Sequence, residues 1–382
     1  MSWRDISVEE QRLKFINAIR DPRKRLTFEE ICIEFNISRK TGYKWFNRFQ
    51  KYGEEGLRDL SRARLTQPTR ISEEIKESII AIRMSEKWGP KKIYAELKTY
   101  YPDLKVPSEA SIGNILKTNN LSFPRTRRRH VAQTASLQDC NQSNDLWMYD
   151  FKGWFLTGNG AKCEPLTITD GYSRYLLKCV HMKRKRSSDV IKVLEEVFYE
   201  YGLPKRMRSD NGPPFASLGV GRLSPLAIKL IKAGITPEWI EPGCPQQNGR
   251  HERFHLTLKN ETASPPAKTL ELQELKFKQF SRYFNHRRPH EALNQVTPAT
   301  VYKPFLRTWD GVYRSPEYTS DYEVRKVDKG GLISWNGQRV FLSESLWKEY
   351  VGLKEVDVGL MEIYYGPIVL GYFDLSNGFK RI

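Results

Sequence analysis

Arg208-Ser209-Asp210-Asn211-Gly212 is the stretch around which the chain is organised, because it has the form of a carboxylate carried by a strand end into a tight turn. Two further acids belong with it. Upstream, Trp147-Met148-Tyr149-Asp150-Phe151-Lys152-Gly153-Trp154-Phe155-Leu156 reads as a strand of aromatic and apolar residues with an acid in its middle. Downstream, Pro245-Gln246-Gln247-Asn248-Gly249-Arg250-His251-Glu252 reads as a turn that runs into a helix through Lys259, with Glu252 in its first turns. Gathered at one point, Asp150, Asp210 and Glu252 repel one another unless a cation neutralises them. Paired divalent metals roughly 3.5 to 4 Å apart would do so, and would clamp the attacking and leaving oxygens of an in-line phosphoryl displacement. Hard oxygen ligands that leave room for water and phosphate suit Mg²⁺ or Mn²⁺.

Trp-Met-Tyr-Asp150-Phe, Ser-Asp210-Asn-Gly-Pro-Pro-Phe and Pro-Gln-Gln-Asn-Gly-Arg-His-Glu252-Arg resemble the catalytic acids of the retroviral-integrase-type DDE core of bacterial insertion-sequence transposases. Tyr283-Phe284-Asn285-His286-Arg287-Arg288-Pro289-His290 adds a further segment that such transposases carry. The spacing departs from the family: 41 residues lie between Asp210 and Glu252 (252 − 210 − 1), a few more than usual, and the Gly-rich Leu218–Leu223 stretch is where the extra length is expected. The resemblance implies that Asp150, Asp210 and Glu252 are both catalytic residues and metal ligands, with two Mg²⁺ (or Mn²⁺) ions per active site. It also implies DNA strand cleavage and strand transfer at the terminal inverted repeats of a mobile element. The partners are then double-stranded DNA, as element ends and target, and further copies of the chain in a homodimer or higher multimer. A domesticated DNA-binding regulator and a ribonuclease-H-like nuclease that stops at hydrolysis are the rival functions; all three acids in their motifs argue against the first, and tandem recognition modules favour site recognition over general degradation.

Composition agrees with a polyanionic partner. The net charge is +18 and the isoelectric point about 9.5, which bears on partners rather than on fold. Residues 1–130 hold 28 Lys+Arg against 17 Asp+Glu, so 28 − 17 = 11 of the 18 positive charges sit in the front third. The five cysteines are scattered with no Cys-x-x-Cys pair, as in a reducing compartment without a zinc site. No secretory signal or long apolar span is present, so a cytoplasmic, nucleoid-associated protein with no membrane partner is expected.

At 382 residues the chain is long enough for two to four domains. Residues 1–62 are expected to form a first helix-turn-helix domain. Phe28, Ile31, Cys32 and Phe35 mark one apolar helix face, and Ser38 caps a second helix that turns Tyr43, Trp45, Phe46 and Phe49 inward and Arg39, Lys40, Lys44 and Arg48 outward toward a DNA groove. A small bundle with a solvated basic face is the blander alternative. Residues 63–124 repeat the pattern, and Ser111, Asn114 and Lys117 are the outward residues of the recognition helix. Residues 125–144 form a basic linker whose Arg125, Arg127, Arg128 and Arg129 are candidates for backbone or minor-groove contact.

From residue 145 to 303 the periodicity changes to strands at Leu146–Leu156, Cys163–Thr169 and Arg174–His181, then alternating helices and strands, the α/β pattern of a ribonuclease-H-like core with a mixed sheet flanked by helices. Asp170 and Asp189 fit structural roles in a turn and a helix start, and Glu241 is the chief rival to Glu252. On the helix of Glu252, His255 and Lys259 fall at i+3 and i+7, so these three side chains share a face where, with Arg253, they would contact metal and DNA. Residues 304–382 are strand-rich, with Asn336-Gly337 as a hairpin turn; a small β-barrel is expected, resembling the carboxy-terminal domain of such transposases.

Overall fold

The structure, a computed structural model, describes residues 7–61, 71–102, 105–122, 140–304, 307–374 and 378–381. The basic-arm residues Arg125, Arg127, Arg128 and Arg129 lie outside the described residues. The chain forms two compact units, Met1–Ile71 and Ser72–Ile382.

The first unit contains α1 (Val8–Arg20), α2 (Phe28–Glu34) and α3 (Arg39–Tyr52). Ser7 and Thr27 each form a reciprocal capping box with the Glu three residues on, and Ser38 accepts from the Thr41 amide. Such caps contribute about 0.5–2 kcal/mol each by satisfying amides the helix itself leaves unpaired. Phe15, Ile16, Ile31, Cys32, Trp45 and Leu57 make the core. Gly42 allows α2 and α3 to cross closely, because a Cβ there would meet Cys32 Sγ at 2.5 Å. Tyr43, expected inside, stacks on Phe28 at 4.2 Å with its other side exposed.

The second unit begins with α4 (Glu73–Glu86), α5 (Pro90–Tyr100) and α6 (Glu109–Thr118), packed on Ile79, Trp88, Ile93, Leu97, Ile112 and Leu116. It continues through β1 (Leu146–Phe151), β2 (Phe155–Leu156), β3 (Lys162–Cys163), β4 (Pro165–Asp170) and β5 (Leu176–His181). Next come α7 (Ser187–Tyr201), β6 (Arg206–Ser209), α8 (Pro225–Lys232), β7 (Thr236–Trp239), α9 (Gly249–Leu258), α10 (Leu270–His286) and α11 (Pro298–Val301). The long strand expected over Leu146–Leu156 is broken after Phe151, where Gly153 takes φ +84; its far end pairs with β3 in a separate two-stranded ladder.

The central sheet has the order β5-β4-β1-β6-β7, with β4 antiparallel to β1 and β5, and with β1, β6 and β7 parallel. Helices cover both faces. Trp147, Tyr149, Leu166 and Ile168 point toward α7 and α8. Period-two alternation sends Met148, Asp150, Thr167 and Thr169 to the opposite face, where α9 and α10 lay down Phe254, Leu258, Phe277, Phe280 and Phe284. The second helical module is held to α10 by a polar lattice: Trp88 Nε1 donates to Tyr283 Oη at 2.9 Å, Tyr283 donates to Glu86 at 2.7 Å, and Arg287 grips Glu96.

The carboxy-terminal part contains β8 (Glu323–Lys326), β9 (Leu332–Trp335), β10 (Gln338–Phe341), β11 (Tyr350–Asp357), β12 (Leu360–Tyr365), β13 (Ile368–Asp374) and β14 (Gly378–Arg381). Among the described residues these do not close into the expected barrel. Five form an open antiparallel sheet in the order β14-β13-β12-β11-β8, and β9 and β10 form a hairpin turned by Asn336-Gly337, both at positive φ. The apolar face of the sheet is buried against the β9–β10 hairpin, α8 and the Val220–Leu223 segment, with Trp335 5.0 Å from the Phe373 ring. The extra length between Asp210 and Glu252 therefore has a packing role: a Cβ on Gly221, at φ +59, would meet Leu370 at 2.8 Å.

Candidate active site

The parallel register of β1 and β6 pairs Leu146 with Arg206, Trp147 with Met207 and Met148 with Arg208. Carried two residues further, that register sets Asp150 level with Asp210 at the carboxyl ends of adjacent strands. The turn after β6 then aims the second acid: the Gly212 amide donates to Asp210 Oδ1 at 3.0 Å. A side chain at 212 would crowd that carboxylate, since a Cβ would lie 3.3 Å from both of its oxygens. Asn211 ties the turn down by donating to the Ile240 carbonyl at 2.7 Å and accepting from Arg222 at 2.9 Å.

Asp150 is largely buried, accepts from the Phe151 amide at 2.7 Å, and faces the Asn248 side-chain amide 3.4 Å from its other oxygen. Burial first, then repulsion from Asp210 and more weakly from Glu252, pushes its carboxyl up to about 7, against the pull of the Phe151 amide and Lys185. That rise combines burial, the larger cause, with repulsion between neighbouring carboxylates. Glu252 stands exposed on α9. Among the described residues no three His, Cys, Asp or Glu side chains form a ready cage for a metal ion. The two aligned carboxylates of Asp150 and Asp210 still fit a hard divalent ion such as Mg²⁺, commonly held by one or two carboxylates with water and substrate phosphate completing the sphere.

The helix that carries Glu252 is clipped to the sheet by groups the sequence did not single out. Thr167 Oγ1 donates to the Asp150 carbonyl at 3.1 Å and meets His251 Nε2 and His255 Nε2, both at 2.8 Å. A hydroxyl has one proton and two lone pairs, so both imidazoles must donate through Nε2–H. Thr169 then donates to His251 Nδ1 at 3.1 Å. Burial holds both rings neutral, driving His251 well down and His255 down to about 4. His255 is thus turned into the sheet and not toward DNA beside Glu252, which corrects the expectation of a shared outer face. Arg253 and Lys259 are exposed, Lys259 opening a π turn over Lys259–Ala263.

Lys185 lies near Asp150, over the Phe151 ring at 4.7 Å and paired with Glu164 at 2.5 Å. Lys152 is half-buried and pushed down by burial and by nearby Lys259. Neither Lys152, Lys185, Asn248, His251 nor Thr167 was expected here; the one legible hint was the pair of threonines alternating with Leu166 and Ile168 in a buried strand. The rival Glu241 is exposed, beside Cys244 Sγ at 3.6 Å. Asp170 is buried and saturated by Asn144 and Ser173, and Asp189 lies in the first turn of α7.

On α3, Lys40 and Lys44 are exposed and Arg39 is exposed beside Glu29 at 3.4 Å. Arg48 departs from its expected outward position: it donates to the Arg58 carbonyl at 2.6 Å and stacks on Trp45. On α6, Asn114 and Lys117 are exposed, and Ser111 sits in the cap formed by Ser108.

Residues 141–245 and 233–298 match models described as integrase core domain, residues 11–64 a helix-turn-helix domain and residues 41–116 a homeodomain-like domain. The chain thus carries an integrase core domain behind helix-turn-helix domains. Among its relatives is the 39.2 kDa protein of insertion element IS476 from Xanthomonas euvesicatoria, 22% identical over 236 residues, covering 61% of this chain and 65% of that protein. Another is the 31.7 kDa protein of insertion element IS407 from Burkholderia multivorans, 27% identical over 191 residues, covering 49% of this chain and 66% of the other. This chain therefore spans just under two thirds of the length of each. A solved simian T-cell lymphotropic virus intasome matches at 17% identity and a TM-score of 0.39, over 80% of this chain and 98% of the other. The HTLV-2 integrase catalytic core in complex with magnesium matches at 16% identity and a TM-score of 0.34, over 42% of this chain and 98% of that one. Among the described residues, no helix is long and apolar enough to cross a membrane.

Proposed function

We propose that this chain is a DNA transposase that binds the terminal inverted repeats of its mobile element and performs strand cleavage and strand transfer, as a nucleoid-associated cytoplasmic protein. The observation that carries the proposal is the placement of Asp150 and Asp210 at the ends of adjacent parallel strands, with Glu252 near enough to repel Asp150, inside an integrase core. Bound by these carboxylates, two Mg²⁺ or Mn²⁺ ions would supply neutralisation of the charge on the transferring phosphoryl group and activation of the attacking water or hydroxyl.

The protein's own residues then have separable roles. Asp150 must give up its proton before it can serve as a ligand, because metal and proton compete for the same oxygens. Asn248 restrains one of those oxygens, and the Thr167–His251–His255 clip ties α9, the helix that carries Glu252, to β4 beside Asp150. Lys152, Lys185 and Lys259 offer cations to phosphates beyond the metals. Arg39, Lys40, Lys44, Asn114 and Lys117 supply the recognition surfaces. Asp150→Asn, Asp210→Asn and Glu252→Gln should each abolish Mg²⁺-dependent cleavage and joining of labelled end DNA while leaving binding largely intact, and Glu241→Gln should stay active. Substantial joining by Glu252→Gln would sink the assignment; cleavage without joining by the wild type would make the chain a nuclease.

A further inference from the structure

Away from the three acids, a cavity of about 350 Å³ lies between the Gly171–Arg174 turn, the first turn of α9 and the Ala292–Asn294 segment. Its charged lining is Arg174 and Arg250. Arg174 Nη1 is buried and has no hydrogen-bond partner. Native structures leave few buried polar groups unpaired, and an unpaired buried guanidinium nitrogen is costlier than a neutral one. Arg250 does not relieve it: this second guanidinium is near enough to repel Arg174, and its recorded contact is the soft Cys140 Sγ at 3.7 Å. The nearest acid, Asp170, is already saturated by the amides of Asn144 and Ser173 and by the Ser173 hydroxyl. Positive charge also stands behind Arg174, since Lys92, Arg288 and Arg174 all act on the buried ring of His290, whose Nε2 is likewise unpartnered. Meanwhile the rim is open, with Tyr172, Arg250 and Asn294 exposed. Arg174 itself is held at φ +64, a conformation that side chains other than Asn and Asp rarely adopt.

Two guanidiniums facing one open cavity, one of them with a free buried donor, make a receptor for a tetrahedral oxyanion. We propose that this cavity is a phosphate-binding site that seats one backbone phosphodiester of bound DNA, separate from the phosphate that reacts at Asp150, Asp210 and Glu252. The proposal rests on the reading of the chain as a DNA-binding transposase. Arg250 and Glu252 share the first turn of α9, so a phosphate held here ties the DNA directly to the helix that carries the third acid.

The test uses the full-length protein, with Arg174→Gln and, in case that buried change disturbs folding, the exposed Arg250→Gln. Binding to end DNA is measured across a salt series. Each lost phosphate contact should reduce the magnitude of the slope of log K against log salt by about 0.9, and each variant is expected to show that loss. The melting temperature of DNA-free Arg174→Gln should stay level or rise, because an unpaired repelled cation is removed; a purely structural arginine would lower it. Inorganic phosphate, compared with chloride at matched ionic strength, should raise the melting temperature of the wild type more than that of either variant. Unchanged salt slopes in both variants, with wild-type DNA binding and joining intact, would overturn the site alone. Protection by inorganic phosphate with unchanged slopes would make it a site for free phosphate and overturn the phosphodiester assignment. A wild type that binds no DNA would overturn this proposal and the transposase reading together, whereas DNA binding with the slope change but no joining would remove only the latter.

Discussion

Thr167 is the residue on which the geometry of the site turns, because its single hydroxyl serves the Asp150 carbonyl and two imidazoles at once. Thr167→Val keeps the shape and strands buried donors, so a loss of about 1–3 kcal/mol per unsatisfied group is expected in denaturant unfolding. Joining should also fall while DNA binding holds. Protonation at this site works in two directions. Asp150 is raised to about 7, so its contribution to stability is full below the ordinary carboxylate range and is lost as pH climbs toward 7. His255 is lowered to about 4, so its contribution is present above the ordinary imidazole value and is lost as pH falls through about 4. The two trends offset each other between about pH 4 and 7. The informative quantity is therefore the difference between variants: in metal-free protein, Asp150→Asn should gain stability relative to wild type as pH rises through that window. Saturating Mg²⁺ should restore wild-type stability above pH 7, and melting curves that stayed parallel with pH would show that Asp150 is not held as described.

At the scale of elements, α9 is fixed less by its own helical preference than by what it is clipped to, and α5 by its hold on α10. Glu96 is buried and paired with Arg287, while Trp88 donates to Tyr283. Breaking one partner of a buried pair costs more than the pair itself contributes. Glu96→Ala should accordingly loosen the second helical module, which amide exchange would register as faster exchange along α5 with little change in the β1 and β4 amides. In the first unit, Gly42→Val should unfold the module or force α2 and α3 apart, since its side chain would begin 2.5 Å from Cys32 Sγ. Circular dichroism melting of that variant should show the amino-terminal transition lost and the main transition kept.

On the scale of the whole molecule, the chain has one set of the three acids and, on the proposed reading, must join two element ends to one target. Coordinated joining then needs two active sites, and the working species is expected to be a symmetric dimer or a multiple of one, assembled on DNA. With a net charge of +18, copies repel until phosphates neutralise them. Light scattering at moderate salt should find larger assemblies only with paired end DNA; a complex that joins both ends with one protein chain would refute this. Because Met1–Ile71 forms its own compact unit, a chain beginning at Ser72 should keep the melting behaviour of the core and lose part of its preference for end DNA over random DNA.

The helices of the front third, the Ser38 cap, the strand–acid–turn at Asp210 and the Asn336-Gly337 hairpin were all legible in the sequence, because each depends on interactions within a few residues. The alignment of Asp150 with Asp210 followed from the same local signals once β1 and β6 were parallel neighbours. Tertiary structure decided what local pattern could not. Helical spacing alone does not tell which side of α9 meets the sheet, and it is the contact with Thr167 that turns His255 inward. Arg48, basic and at a surface position by periodicity, was drawn to a carbonyl and an aromatic face instead. The carboxy-terminal strands carried alternation that suits a barrel or an open sheet equally; the β9–β10 hairpin together with α8 and the Val220–Leu223 segment covers the sheet's apolar face, and a face buried this way has no need to close on itself.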